Sequence, residues 1–222
     1  MQQMVEQATK ETSLSPAGRL NDVYLVIKPI ADRAFGLLLL ALFTPLMLVL
    51  AVILRLDSSG PTIFKQTRVG KGVKPFEMYK FRTMCEEAED MLPHVLHLNE
   101  DASGMLTKIK DDPRVTNVGR VLRATSLDEL PQLINVVKGD MSLVGPRPPL
   151  PSEVALYDSC HMRRLEITPG ITGLWQVSGR KNLDFDAMVD LDIRYAERQS
   201  MLIDLWIILK TIPEVLKMNG AR

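Results

Sequence analysis

Cysteine is nearly absent from this chain: only Cys85 and Cys160 occur, far apart and in no CxxC pairing. That excludes a disulfide framework and fits a reducing cytoplasm. A net charge is missing too, with Lys plus Arg and Asp plus Glu both at 27. No global charge therefore points to nucleic acid, and the basic character is local to residues 65–82. There is no Gly-rich phosphate loop of the Walker or Rossmann type, which sets aside nucleotide binding by those folds. Internal repeats, low-complexity tracts and Ser-His-Asp or Cys-His nucleophile arrangements are not visible either. His94 and His97 are near neighbours, but no third ligand joins them at a convincing spacing and Pro93 precedes them, so no metal site is expected there. The twelve methionines are scattered, as gap-fillers or lipid-facing residues are, without a stripe that would suggest a cofactor.

What the sequence does have is one long apolar run. "RAFGLLLLALFTPLMLVLAVILR" carries twenty-one uncharged residues from Ala34 to Leu54 between Arg33 and Arg55. A bilayer core of ~30 Å needs about 20 such residues at ~1.5 Å each, so the length suffices to cross. A secretory signal is excluded, because the run is too long and begins after more than thirty residues that include many charges. The flanks argue against a simple crossing. Lys28 and Arg33 precede the run; Arg55, Lys65, Arg68, Lys71, Lys74, Lys80 and Arg82 follow it, with Asp57 and Glu77 the only acids between residues 55 and 82. Both ends thus carry the cytoplasmic signature. Pro45 withholds an N–H from the Ala41 carbonyl, and Thr44 beside it can bond a freed carbonyl, so a hairpin that breaks at Thr44 and Pro45 and returns to the same face stands beside a kinked single-pass anchor. From residues alone both stay open.

Elsewhere the chain reads as α+β and mainly helical. Residues 1–27 form a polar tail, 28–56 the membrane segment and 57–222 a cytosolic domain. "TIFKQTRVG" and "FEMYKFRTM", joined by "KGVKP", predict a basic β-hairpin. Helices are expected over 86–96, over 127–140 with Gly139 near its cap, and from Phe185 on an apolar period. "MLIDLWIILKTIPEVLKM" (201–218) is apolar on most faces but interrupted by Asp204, Lys210 and Pro213; it suits a helix in the headgroup layer, or else a plain core helix.

Chemistry concentrates in "RATSLDELPQLINVVKGDMSLVGPRP". Asp128 and Glu129 have a plain explanation, since Ser126 with Glu129 three residues on spells a capping box. Pro131 weakens it, because its missing N–H would fall inside such a helix. A start nearer Asp128 or Leu130 makes Pro131 harmless and leaves both carboxylates at the helix mouth, where a carboxylate beside Arg123 stays ionised and can serve as nucleophile or Mg²⁺ ligand. Cations on rigid segments lie nearby in the sequence: Arg147 between two prolines in "GPRP", Lys80 and Arg82 in "YKFRTM", Arg180 closing "GLWQVSGR". They suit a diphosphate, and equally an anionic membrane surface.

"FKQTRVGKGVKPFEMYKFRTM", "RVTNVGRVLRATSLDELPQLINVVKGDMSLVGPRP" and "TPGITGLWQVSGRKNLDF" together resemble the bacterial sugar transferases, the monotopic phosphoglycosyl transferases that begin assembly of exopolysaccharide, O-antigen and related glycans. The resemblance runs from about Lys28 to the C-terminus. It implies a re-entrant membrane helix broken at Thr44 and Pro45, a compact cytosolic catalytic domain with interfacial amphipathic helices, and a place on the cytoplasmic face of the bacterial inner membrane. It implies transfer of a sugar-1-phosphate from a UDP-sugar to polyprenol phosphate, with release of UMP. By position in the motifs, Asp128 matches the nucleophile and Glu129 its dyad partner, both toward Mg²⁺. Lys80, Arg82, Arg123 and Arg147 match the cations expected at the phosphates. Gln176 and Arg180, with Trp175, fall on the uridine or sugar side. "GLWQVSGR" and the stretch after it are similar to members that transfer glucose or galactose phosphate. Inner-membrane lipids are expected partners; self-association and downstream glycosyltransferases are left open. The polar stretch before the membrane run lacks the additional helices of long members, which suggests a short form or a catalytic piece. The competing reading is a non-catalytic membrane-surface scaffold or lipid-binding protein of a glycan-export assembly, with Asp128 and Glu129 only a cap.

Overall fold

The computed structural model describes residues 16–100, 109–179 and 183–217, with side chains from Val23 onward. Its dominant element is helix α1, Pro16–Asp57, with Pro29 and Pro45 inside it. The segment Val23–Asp57 is long and apolar enough to cross a membrane. The apolar run forms one continuous helix, and a second, returning arm is not shown. The helix also begins at Pro16, so the second half of the expected polar tail is helical, and Tyr24 is buried. Thr44 Oγ1 donates to the Leu40 carbonyl at 2.6 Å, one position before the carbonyl that Pro45 leaves unpaired. Such back-bonding bends a helix slightly and does not interrupt it.

One stripe of α1 is docked on the rest of the chain at helical spacing. Tyr24 and Lys28 reach Asp204, Asp32 accepts from Ser142 Oγ at 2.6 Å, and Gly36 lies against Val136. Further along, Leu50 and Leu54 share a core with Phe81 and Leu122, bordered by Met47 and Ala51. Between these two docked stretches Leu37, Leu38, Leu42 and Leu46 are exposed.

The predicted hairpin forms from β1, Ile63–Val69, and β2, Pro75–Phe81, antiparallel with Ile63 opposite Phe81 and Val69 opposite Pro75. Its turn needs positive φ at Gly72 and Val73. Helix α2, Asn117–Thr125, is capped by the Thr116 side chain and stopped by Ser126 in the left-handed region. Gly119 is obligatory there, because a Cβ would stand 2.0 Å from the Thr83 carbonyl oxygen. After a 3₁₀ turn, Leu127–Glu129, comes α3, Gln132–Lys138, closed by Gly139 at φ 90°. Residues 86–96, expected as one helix, instead belong to a chain of short turns, Glu86–Ala88, Leu92–Val95 and Leu96–Leu98.

Strand β3, Ser142–Val144, pairs in parallel with β4, Gly170–Thr172. The crossover between them carries the "GPRPP" segment and short helices. Helix α4, Phe185–Arg198, is capped by Asp184; α5, Met201–Leu216, is capped by Ser200. On α5, Leu202, Leu205, Trp206, Leu209, Ile212 and Leu216 are exposed while Asp204 and Ile207 are buried. An apolar outer face with Lys210 over the Trp206 ring is the composition of a helix at a headgroup boundary.

Candidate active site

The site is assembled on the join between β2, the 3₁₀ turn and α3. Asn135 of α3 is fully buried and binds β2 twice: it accepts from the Tyr79 N–H at 3.0 Å and donates to the Glu77 carbonyl at 2.6 Å. This clamp fixes the neighbouring Lys80, whose Nζ bonds Glu129 Oε1 at 2.9 Å. Ser126 makes no side-chain cap bond and has left-handed geometry, so the capping box does not exist. Pro131 stands immediately before α3, where its missing N–H costs nothing. The two acids are thereby released from capping.

Asp128 is buried. Burial pushes its carboxyl up to about 6; Glu129 adds to the rise, while Lys80, Arg123 and the backbone N–H of Asp128 oppose it. The expectation of an easily ionised carboxylate is thus modified: desolvation outweighs the flanking cations, yet the group is still mostly charged at pH 7. Arg123 is held by Nε donating to Thr83 Oγ1 at 2.8 Å, and burial lowers its pKa.

Beside this turn opens a small cleft that brings together Lys80, Glu129, Arg147 and Gln176, with Arg68 and Gln132. Arg147 also borders a second, narrow cavity with Glu153, Arg164, Trp175, Phe185 and Met188. Polar atoms without partners collect near that cavity: Trp175 Nε1, Arg164 Nε and Asp192 Oδ1. Burial pushes Asp192 up to about 6 against the pull of Arg164, with which it forms a buried ion pair.

Arg82, expected at the substrate, is buried: Nη2 donates to the Ser58 carbonyl at 2.8 Å and to Ser58 Oγ at 2.9 Å, while Nε and Nη1 have no partner among the described residues. The reason is local: α1 ends at Asp57, the carbonyls after a helix end need donors, and Arg82 and Arg55 supply them at Ser58 and Gly60. Arg180 lies outside the described residues. Thr44 and Pro45 are exposed on α1, away from the cleft residues in sequence and packing.

Arg68 and Gln132 were missed. Both are almost fully buried, which for a charged or amide side chain signals a task. A signal for Arg68 was present: in the hairpin register Arg68 faces Phe76, Gln66 faces Met78 and Phe64 faces Lys80, so strand alternation puts Arg68 on the Lys80 face. Reading it required the register, which the turn sequence does not state.

Against known proteins, a family model described as "Bacterial sugar transferase" matches residues 23–218. The chain is 50% identical over 164 residues to the galactosyl transferase CpsE of Streptococcus agalactiae, covering 73% of this chain and 36% of that protein. It is 40% identical to the exopolysaccharide production protein ExoY of Rhizobium meliloti, over 88% of this chain and 91% of ExoY. To a UDP-glucose:undecaprenyl-phosphate glucose-1-phosphate transferase of Caulobacter vibrioides it is 39% identical, over 96% of this chain and 79% of that one. The chain therefore spans about a third of the streptococcal relative and most of the other two. With the match running through the hairpin, the acidic turn and the arginine cleft, this chain belongs to the bacterial sugar transferase family.

Proposed function

We propose that this protein transfers a hexose-1-phosphate, glucose or galactose, from a UDP-sugar to polyprenol phosphate as the first membrane step of exopolysaccharide, O-antigen or related glycan synthesis. The observation that carries the reading is the buried Asp128, freed from capping and flanked by Lys80, Glu129 and Arg123, beside a cleft bordered by Arg147. The names of the relatives support the reaction class and differ on the sugar.

In the first half-reaction an Asp128 carboxylate oxygen attacks the β-phosphorus of the donor. The new oxygen–phosphorus bond forms as the bridging bond breaks, and UMP leaves with that bridging oxygen. In the second, the phosphate oxygen of the lipid attacks the same phosphorus and returns the carboxylate. Such transfers need positioning and charge neutralisation above all. Lys80, held by Glu129, and Arg123, held by Thr83, are placed for that work, and we assign Arg147 to the diphosphate of the donor. Trp175 and Gln176, close to Arg147, are the residues we assign to the part of the donor beyond its diphosphate.

Two adjacent carboxylates fit Mg²⁺, which typically takes one or two protein oxygens and completes its shell with water and substrate phosphate. When bound there, Mg²⁺ would neutralise diphosphate charge and relieve the repulsion between Asp128 and Glu129. Asp128 and Glu129 would hold it.

For topology we favour a monotopic arrangement. Both ends of the apolar run dock on one domain, at Gly36 and at Met47 to Leu54. Only residues 37–46 lie between, ~15 Å of helix, half of what a ~30 Å core demands. These exposed residues would dip into the lipid together with the outer face of α5. The scaffold reading loses its main support, since the acids do not cap. The test is UMP release by the purified protein with polyprenol phosphate, Mg²⁺ and a panel of UDP-sugars. Asp128→Asn should abolish release and the covalent phosphosugar seen by mass spectrometry with donor alone; wild-type release by that variant would end the assignment.

A further inference from the structure

Arg68 is an unusual residue for its surroundings. Its side chain is 6% exposed, and its donors go to neutral acceptors: Nε and Nη2 to Gln66 Oε1 at 3.0 and 2.5 Å, Nη1 to the Pro148 carbonyl at 3.0 Å. No carboxylate forms a salt bridge with it among the described residues. A buried guanidinium normally has an acidic partner, because taking an unpaired charge out of water costs several kcal/mol. Here the neighbouring charge has the same sign: Arg147 borders the same cleft and likewise forms no ion pair among the described residues. Burial first, and then Arg147, push Arg68 down to about 10, outweighing the opposing pull of Glu153 and Glu129. The cleft therefore carries two arginines that form no ion pair among the described residues.

The bond to Pro148 adds a mechanical part. Arg147 stands between Pro146 and Pro148, so its backbone has little freedom. Arg68 anchors the Pro148 carbonyl, and the Val69 N–H anchors that of Pro149 at 2.9 Å, so β1 sets where Arg147 points.

We propose that Arg68 and Arg147 form a paired arginine clamp for the diphosphate of the nucleotide donor, in which Arg68 is the fixed member that also positions Arg147. The clamp deepens the function proposed above and rests on it for the identity of the diphosphate, though binding can be measured without turnover. It serves the donor half-reaction; the lipid phosphate, arriving when UMP has left, does not depend on it.

The test uses the full chain in detergent or nanodiscs. In wild-type protein without divalent metal, inorganic pyrophosphate should raise the melting temperature and compete with UDP measured by calorimetry. Stabilisation seen only with Mg²⁺ present would overturn the clamp, because the metal and not the arginines would then be holding the anion. Arg68→Gln should weaken UDP binding about tenfold or more and raise KM for the UDP-sugar, with KM for polyprenol phosphate unchanged. Arg68→Lys should recover part of the affinity through its charge. Gln66→Leu, which leaves the charge but frees its head, should cost about two- to fivefold. Unchanged UDP affinity in folded Arg68→Gln, or equal losses toward donor and lipid, overturns the proposal. UDP binding measured in an Asp128→Asn background separates the two ideas: dependence on Arg68 there stands even if Asp128 proves not to be the nucleophile.

Discussion

Two buried aspartates, Asp128 and Asp204, differ in how completely they are satisfied, and the difference separates chemistry from architecture. Asp204 on α5 accepts from Tyr195 Oη at 2.6 Å and Tyr24 Oη at 2.9 Å, and pairs with Lys28. Every partner comes from an element that must be fastened, α1 or α4, and Lys28 passes the chain of contacts on to Asp32 and Ser142. A fully bonded buried carboxylate holds structure in place. Asp128, by contrast, has cations near it but, among the described residues, no donor bonded to its side chain other than its own backbone N–H. A buried carboxylate left so incompletely bonded is costly, and an enzyme keeps it only where the free lone pairs are used.

Substitution should break this contrast most visibly. Asp128→Asn is expected to lower the donor half-reaction by at least about 10³-fold, as loss of a covalent nucleophile does. Asp204→Ala should instead act on stability, by about 3–5 kcal/mol in denaturant unfolding, because Lys28 and two tyrosines lose their acceptor together. Turnover per folded molecule should persist if the domain stays assembled. An Asp204 variant that is fully stable and selectively inactive would erase the distinction.

The pH dependence sharpens it. The folded-state value for Asp128, about 6, lies above its ordinary 3.8. The folded protein thus holds that proton more tightly than the unfolded chain. Its contribution to stability is greatest below pH 4, declines as pH rises through 4 to 6, and stays low above. Activity runs the other way, since attack needs the carboxylate: single-turnover UMP release should rise about tenfold per unit up to pH 6 and level off above. Asp128→Asn should therefore gain roughly 1–3 kcal/mol over wild type at pH 8, and the gain should vanish by pH 4. Activity that stayed flat from pH 4.5 to 8 with Mg²⁺ present would mean that the bound cation keeps this carboxyl ionised across that range.

Much of this was readable beforehand, for identifiable reasons. The hairpin followed from alternation and turn residues, and Gly139 from the need for a left-handed cap. Pro131 weakened the capping box and pointed to a later helix start, yet the helix expected over 127–140 begins only at Gln132, with Leu127–Glu129 a 3₁₀ turn. What stayed hidden depends on contacts between distant segments. Arg82 and Arg68 share a basic stretch, and nothing local says that one would cap the end of α1 while the other would enter the cleft. The desolvation of Asp128 is equally non-local, set by what packs over the turn. In α1 the sequence signals a bend at Pro45, yet the helix carries on through it; tolerated prolines inside apolar helices make that outcome local-sequence blind.

The smallest expected effect tests the docking of α1, on which the monotopic reading depends. A Cβ added at Gly36 would stand 2.9 Å from Val136 Cγ1, a fully buried side chain of α3. Gly36→Ala gains about 1 kcal/mol of helix propensity but must push Val136 against its neighbours at a cost of about 1–3 kcal/mol, so the net change should be a small loss. Val136→Ala makes room at the expense of a cavity. In that background Gly36→Ala should become stabilising, and the two changes should couple by about 1 kcal/mol in a double-mutant cycle followed by thermal unfolding in nanodiscs. Strict additivity would mean that in lipid the first half of α1 does not rest on α3, and the helix would then be free to cross the bilayer.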